Sequence, residues 1–193
     1  SGKDNRGKAM KIACVVLAAG IGKRMNSRMP KVLHRICGVP MLQHVLNAAE
    51  KLKPEKRIIV AGKNIEEIRS SIHGPGISFV LQEKPIGTGD ALLKAKQALN
   101  GFTGTVLVLN GDMPLITTKT LRQFLNYSQG NSSDISVISF IAGDPSSYGR
   151  IVRDGYGKAV RIVEDKDATP EQKNIREVNS GVYAIKPAVM ILR

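Results

Sequence analysis

The densest group of residues that could do chemistry lies between Leu17 and His34. A continuous apolar run reaches Leu17-Ala18-Ala19 and leads into Gly20 and Gly22. Glycine lets a backbone turn sharply and lets a ligand approach the main-chain N–H groups closely. Five cations with no acid among them are Lys23, Arg24, Arg28, Lys31 and Arg35. A glycine turn surrounded by cations at the end of a strand favours the binding of phosphate groups.

Two common phosphate-binding loops do not match this stretch. A Walker A loop requires Gly-x-x-x-x-Gly-Lys-Ser/Thr, which no window supplies. A dinucleotide-binding loop requires a third glycine and an acid about twenty residues further on, but Gly22 is followed by Lys23 and Arg24, and the next predicted strand ends in Ala61-Gly62. A bare Gly-x-Gly pair is equally typical of a structural turn, and it is the cations that favour a phosphate site.

The composition is that of a folded domain. The chain has 193 residues, enough for one domain with a sizeable core, and 42% of them are hydrophobic. No apolar run reaches the length of a membrane span. Residues 1–9 lack the apolar segment of a signal peptide and are interpreted as a flexible leader or cloning remnant. Cys14 and Cys37 form no C-x-x-C pair, so a reducing cytoplasm is the expected setting.

The net charge of +13 is unevenly distributed. Residues 1–60 carry a balance of +10, and the remaining 133 residues carry only +3. A nucleic-acid-binding surface is one interpretation of a basic chain. The chain has four Phe, four Tyr and no Trp, so it is poorly supplied with stacking platforms for single strands.

The hydrophobic periodicity predicts an α/β fold. Besides the first apolar run, strands are predicted at 57–61, 77–81, 105–109 and 134–141. Helices are predicted at 41–52, 64–72, 88–99 and 117–127. Strands alternating with helices indicate a Rossmann-like, mostly parallel sheet with helices on both faces. Residues 150–153 and 159–163 predict a small antiparallel hairpin, and 177–185 a further strand.

Several polar residues follow the predicted strands. Ligands of an open parallel sheet bind beyond the carboxyl ends of its strands, which is where the glycine loop, Gln82 with Gly87-Thr88, and Asp112 are expected. Taken singly, Asp112 also suits a turn or a helix cap, and Gln82 an ordinary loop. Their convergence on one edge of the sheet favours a binding site.

Two motifs of the sequence resemble those of a known family. Residues 17–25 resemble the signature loop of sugar-nucleotide pyrophosphorylases. Pro30-Lys31-Val32-Leu33-His34 is most similar to the bacterial N-acetylglucosamine-1-phosphate uridyltransferases, which are usually the N-terminal half of a bifunctional enzyme. The resemblance covers residues 10–193 and implies a nucleotidyltransferase domain with the nucleotide-diphospho-sugar transferase fold.

The resemblance also implies roles for individual residues. The nucleotide would be bound by Leu17, Ala18, Ala19, Gly20, Gly22, Lys31, Gln82, Gly87 and Thr88. Of these, Gln82 and the Gly87-Thr88 backbone would contact the uracil base, since a glutamine amide offers the paired donor and acceptor that reading a uracil edge requires. The catalytic residues would be Arg24 and Lys31. The sugar would be bound by Gly149, Glu164 and Asn179, although the acidic run 164–167 by itself is typical of a solvated loop. Asp112 would be a ligand of Mg²⁺, which prefers one or two carboxylates together with phosphate oxygens and water.

The implied reaction joins UTP and N-acetylglucosamine 1-phosphate into UDP-N-acetylglucosamine and pyrophosphate, for the synthesis of cell-envelope precursors. Asn110 and Asp90 depart from the family pattern and could tune the fit of base or sugar. Two alternatives stay open: a related enzyme such as a glucose-1-phosphate thymidylyltransferase, and a non-catalytic nucleotide- or RNA-binding module. RNA binding would weaken steeply with salt. Small-molecule substrates are expected, with no nucleic-acid or membrane partner.

The resemblance predicts that the family's domain continues past Arg193. That continuation holds an asparagine, the second metal ligand, and is followed by a hexapeptide-repeat acetyltransferase half on which the family's trimer depends. No such repeat occurs in these 193 residues, so the oligomeric state is left open.

If the second metal ligand lies beyond Arg193, the uridyltransferase activity should depend on the length of the chain. The 193-residue chain should bind UTP, but its uridyltransferase activity should be much weaker than that of a chain extended through the asparagine, since a poorly oriented metal ion misaligns the reactants. It should show no acetyltransferase activity. Turnover of both lengths at saturating Mg²⁺ and substrates is the measurement, and equal turnover would contradict the placement of the second ligand.

Overall fold

A computed structural model describes residues 10–20, 22, 25, 27, 29–84, 87–131 and 133–190. The chain divides into two compact units. The first comprises the described residues of Ser1–Ser136 and Tyr183–Arg193, and the second is Val137–Val182. Among the described helices, none combines the length and the apolar character needed to cross a bilayer.

The regular elements follow the predicted alternation. In chain order they are β1 (Ile12–Ala18), β2 (Arg35–Ile36), β3 (Val39–Pro40), α1 (Met41–Glu50), β4 (Lys56–Ala61), α2 (Ile65–Ser71), β5 (Ile77–Leu81), α3 (Thr88–Ala95), β6 (Thr105–Asn110), α4 (Thr118–Gly130), β7 (Ile135–Ile141), β8 (Arg150–Arg153), β9 (Ala159–Val163), α5 (Pro170–Lys173) and β10 (Glu177–Ile185). The bounds predicted for the strands at 77–81, 150–153, 159–163 and 177–185 are confirmed.

The sheet of the first unit is mixed and mostly parallel, as predicted. Its strands β5, β4, β1 and β6 are neighbours in that order, and all pair in parallel. The last part of β10 adds to β6 in antiparallel fashion, with Tyr183 opposite Val108. The register places Leu17 opposite Asn110 and Ala18 opposite Ala61. The carboxyl ends of β1, β4 and β6 are therefore level with one another.

Helices cover both faces of this sheet, because side chains alternate between the faces along each strand. Ala13 and Val15 of β1 pack in one buried cluster with Ala91 and Ala95 of α3. Cys14 points to the opposite face, towards α1, and is buried. Burial raises the pKa of its thiol to about 12, against a lowering effect of Arg57. Such a thiol is unreactive and acts as a small apolar side chain.

Three predicted helix ends are wrong by two residues or more. The helix α3 ends at Ala95 instead of Leu99, because the chain turns there and reaches Gly101 with a φ of +72°. The helix α1 ends at Glu50, two residues early. The helix α4 ends at Gly130, three residues later than predicted. The ribbon β2–β3 was not predicted; its two-residue loop, Cys37-Gly38, has positive φ at both positions, the geometry of a tight hairpin turn.

The second unit contains the predicted antiparallel hairpin of β8 and β9. Its turn is fixed by Asp154, whose Oδ1 accepts hydrogen bonds from the N–H groups of Tyr156 and Lys158. On β10, Glu177 accepts from both the Nε and the Nη2 of Arg153 at 2.7 Å and from the Ser139 hydroxyl at 2.6 Å. The Arg153 guanidinium is the main reason that the pKa of Glu177 falls from 4.5 to about 2; burial opposes the shift and Ser139 adds to it.

This ion pair predicts a pH-dependent stability. A carboxylate whose pKa is lowered in the folded state stabilises the fold above pH 4.5, and the contribution is lost as the pH falls towards 2. We expect Glu177→Gln to lower the melting temperature at pH 7 by about 2–4 °C. The difference from wild type should close between pH 4.5 and pH 2. Glu67→Gln, at an exposed acid of α2, is the control, and a pH-independent difference for Glu177→Gln would contradict the pairing.

Candidate functional site

Loops from neighbouring strands meet at the carboxyl-end edge of the parallel sheet. The N–H of Gly111, just after β6, donates to the carbonyl of Leu17 in β1 at 2.8 Å. The N–H of Gln82, just after β5, donates to the carbonyl of Ala61 in β4 at 2.7 Å. These bonds continue the sheet by one residue and fix where both loops begin. A Cβ on Gly111 would lie 3.2 Å from the Leu17 carbonyl, so this close approach favours glycine.

A cavity of about 350 Å³ opens between these loops, a volume within the usual range for small-molecule sites. Seven residues expected to bind nucleotide line it, together with Asp112: Leu17, Ala19, Gly20, Lys31, Gln82, Gly87 and Thr88. Ala18 instead lines a second cavity of about 290 Å³, which it shares with Ala19 and Gly20. The sequence therefore identified residues that the fold brings together.

The shortest polar contact described in the cavity joins Lys31 and Asp112. The Lys31 Nζ donates to Asp112 Oδ2 at 2.6 Å, and 40% and 32% of the two side chains are exposed. Lys31 begins a 3-10 turn, Lys31–Leu33, in which Val32 and Leu33 are buried. The buried side chains of Val32 and Leu33 anchor the turn and thereby hold Lys31 at the cavity.

Gly22 makes room for that lysine. Its φ is +59°, and a Cβ added there would lie only 2.8 Å from the Cβ of Lys31. Its carbonyl accepts a hydrogen bond from the Met25 N–H at 2.8 Å. Arg24, predicted to be catalytic, lies outside the described residues.

Gln82 is buried, with 2% of its surface exposed. Its Nε2 donates to the carbonyl of Gly87 at 3.3 Å and to Asp90 Oδ2 at 2.7 Å. The contact between Asp90 and Gln82 was not predicted, because a carboxylate eight positions away in sequence carries no local signal. Gly87 has a φ of +131°, which side-chain-bearing residues rarely adopt, and it leads directly into α3.

The three residues predicted to bind the sugar cluster in the second unit. The N–H of Asn179 donates to the carbonyl of Gly149 at 2.8 Å. A Cβ on Gly149 would lie 3.5 Å from Glu164 Oε1 and 3.7 Å from the Asn179 Cβ. The predicted set is thus contiguous, and a Cβ on Gly149 would also lie only 2.9 Å from the Ile162 Cγ2, so this close approach favours glycine.

Arg150 is a residue of this unit that the sequence analysis missed. Its side chain is 2% exposed, and it donates to Asp165 Oδ1 at 2.9 Å and to the carbonyl of Tyr148. Asp165 starts the 3-10 turn that directly follows Glu164. Part of the acidic run 164–167 is therefore neither a free loop nor a ligand, because it holds the turn against a buried guanidinium. In the sequence, the burial of Arg150 is indicated only by its position between Gly149 and the apolar pair Ile151-Val152.

A magnesium site can be tested against these side chains. Among the described residues, no group of three or more His, Cys, Asp or Glu could hold a metal ion. Asp112 is the one carboxylate among the described residues that line the cavity, and it is partly exposed beside the Lys31 ammonium. One carboxylate fits Mg²⁺, which takes its remaining ligands from phosphate oxygens and water.

Comparison with known proteins defines the class. Residues 14–174 match the family described as MobA-like NTP transferase domain, and the chain belongs to this family. Two curated relatives named Bifunctional protein GlmU come from Dechloromonas aromatica, with 48% identity over 174 residues, and from Pelotomaculum thermopropionicum, with 43% over 179. They confirm the resemblance that the motifs indicated. The matches cover 90% and 93% of this chain but only 38% and 39% of the relatives' length.

Solved structures confirm the fold class. A structure named as a glucose-1-phosphate thymidylyltransferase from Bacillus anthracis has a TM-score of 0.73 at 18% identity, covering 93% of this chain and 73% of that one. HddC from Yersinia pseudotuberculosis, in complex with GMP-PN, has a TM-score of 0.68 at 21% identity, covering 94% and 79%. At these identities the likeness is one of fold.

The two glycines of the loop should respond differently to alanine. We expect Gly22→Ala to lower the free energy of unfolding by about 1–2 kcal/mol, because alanine is strained at positive φ, in addition to its clash with Lys31. Gly20→Ala is the matched control, since a Cβ there meets nothing within 4 Å. Urea unfolding of both variants is the measurement, and equal stabilities would contradict the described turn.

Proposed function

We propose that the chain is a uridyltransferase domain that joins UTP and N-acetylglucosamine 1-phosphate, releasing pyrophosphate. The observation that carries this proposal is the cavity at the carboxyl ends of the strands, in which Lys31, Asp112 and Gln82 meet the glycine loop. Membership of the NTP transferase family supports nucleotidyl transfer as the class of reaction. The curated relatives and the motifs support this particular base and sugar.

The triphosphate would bind along the glycine loop. Main-chain N–H groups there can approach phosphate oxygens because Gly20 has open space where a side chain would stand. Lys31 would neutralise charge that builds on the phosphates during transfer, and a positioned ammonium is effective because it needs no reorganisation. Arg24 would grip the phosphates with its planar guanidinium, as the resemblance implies.

Asp112 is the residue that would hold Mg²⁺. The ion, when bound, would neutralise phosphate charge and orient the reacting groups. The Lys31 ammonium now satisfies the Asp112 carboxylate at 2.6 Å. We infer that a nucleotide gives Lys31 other anionic partners and so makes this carboxylate accessible to the ion.

The reaction needs no covalent enzyme intermediate. A phosphate oxygen of the sugar phosphate attacks the α-phosphorus of UTP, a new P–O bond forms, and the bond to the β-phosphate oxygen breaks as pyrophosphate leaves. Positioning carries such a reaction, since holding two reactants in line supplies much of the barrier reduction. The resemblance implies that Gly149, Glu164 and Asn179 of the second unit bind the sugar.

The proposal is tested by a panel of nucleoside triphosphates and sugar 1-phosphates, read as pyrophosphate release. UTP with N-acetylglucosamine 1-phosphate should react fastest in the presence of Mg²⁺. A higher rate with dTTP and glucose 1-phosphate would replace this assignment by the related thymidylyltransferase. Release with no pair of substrates, in the extended chain as well as in this one, would overturn it.

Lys31 provides a residue-level prediction. We expect Lys31→Ala to lower turnover by about 10²–10³-fold, the usual effect of losing one preorganised charge-stabilising donor. Its melting temperature should change little, because 40% of the side chain is exposed. Lys119→Ala, at an exposed lysine of α4, is the matched control and should keep wild-type turnover. If Lys31→Ala also keeps it, Lys31 has no part in the reaction.

A further inference from the structure

Gln82 is held by a hydrogen-bond arrangement that its proposed role does not explain. It is one of three buried polar or charged side chains in the described residues, and it lines the candidate nucleotide cavity. Both of its amide hydrogens have acceptors, the carbonyl of Gly87 at 3.3 Å and Asp90 Oδ2 at 2.7 Å. Asp90 lies in the first turn of α3 and is partly buried.

These two partners fix which way the amide of Gln82 faces. A main-chain carbonyl and a carboxylate have acceptor atoms only, so the amide atom that faces both must be the nitrogen. A flipped amide would place its oxygen against these two acceptor oxygens. The buried NH₂ group would then have lost both of its hydrogen-bond acceptors. The orientation therefore follows from the chemistry of the partners and not from a choice between similar atoms.

We propose that Asp90 is a specificity-determining positioning residue, which turns Gln82 so that only its carbonyl oxygen can meet the base. This inference rests on the proposed function, because it concerns the base of that same site. An acceptor that faces ring nitrogen N3 pairs with a base that carries a hydrogen there, as uracil and thymine do. Cytosine has a lone pair at N3, so the two acceptors would face each other.

Asp90 acts through Gln82 and does not touch the base. The arrangement thus replaces the expectation from sequence, in which the glutamine offered a donor and an acceptor together. Its donors are engaged by Gly87 and Asp90, and discrimination comes from the orientation of the remaining oxygen. A mismatched base leaves a buried group unpaired, which weakens binding by about tenfold or more.

A purely structural role for Asp90 makes a different prediction. An acid in the first turn of a helix stabilises it through the helix dipole, and removing that charge would lower stability and weaken all nucleotides alike. The ratio of the affinities for UTP and CTP separates the two roles, because only the orientation of Gln82 changes this ratio.

The experiment is calorimetric titration of UTP, dTTP and CTP into the wild-type chain and four variants, with melting temperatures measured alongside. Asp90→Asn accepts and donates, so it tolerates both orientations of Gln82, and Asp90→Ala removes the partner. Asp90→Glu keeps an acceptor-only group. Glu67→Gln, in the first turn of α2, is the control for losing an acid at a helix N-terminus.

We expect wild type and Glu67→Gln to bind UTP at least about tenfold more tightly than CTP. In Asp90→Asn and Asp90→Ala this ratio should fall to within about threefold of one, and Asp90→Glu should recover a preference for UTP. A wild-type ratio in whichever of the first two variants is folded would overturn the role of Asp90 and leave the uridyltransferase proposal intact. Wild type that prefers dTTP to UTP would refute the proposed substrate but support the role of Asp90. Equal binding of UTP and CTP by wild type would overturn both.

Discussion

The parallel pairing of β1 with β4 and β6 is the constraint on which the candidate site depends. Its register sets Leu17 opposite Asn110 and Ala18 opposite Ala61, so neighbouring strands end at the same level. The loops that follow are separated by many residues in sequence and emerge along one edge. The bond from Gly111 to the Leu17 carbonyl extends this register into the loop that carries Asp112. A shift of one residue would turn every side chain of a strand to the other face and scatter the site.

Opposite charges meet at this edge, and that combination determines what the cavity can bind. A phosphate site needs cations, and a site for a divalent ion needs a carboxylate. Lys31 and Asp112 supply one of each at 2.6 Å, and each compensates the other while the ligand is absent. Gln82 is also paired within the protein, because its amide hydrogens are bound by Gly87 and Asp90. Lys31, Asp112 and the Gln82 amide nitrogen are therefore paired within the protein while no ligand is bound.

Much of the fold followed from the sequence, because buried strands are continuous apolar runs and β8 and β9 flank an evident turn. The C-terminal ends of α1 and α3 could not be predicted from the sequence, because the helical periodicity continues past the residue at which the chain turns. In the site, glycine spacing and cations identified the edge where the loops meet. The contacts of Asp90 with Gln82 and of Arg150 with Asp165 were not predictable, because each depends on side-chain directions that only the folded chain defines.

The central claim is that the cavity between the glycine loop, Gln82 and Asp112 is the nucleotide site. The most direct measurement is the mapping of NMR chemical-shift changes in the isotope-labelled chain as UTP is added. The account predicts that the largest changes fall on the amides of Gly20, Gly22, Thr88 and Gly111 and on the side-chain amide of Gln82. Changes confined to the cavity beside α1, around Cys14, Asn47 and His73, would contradict it.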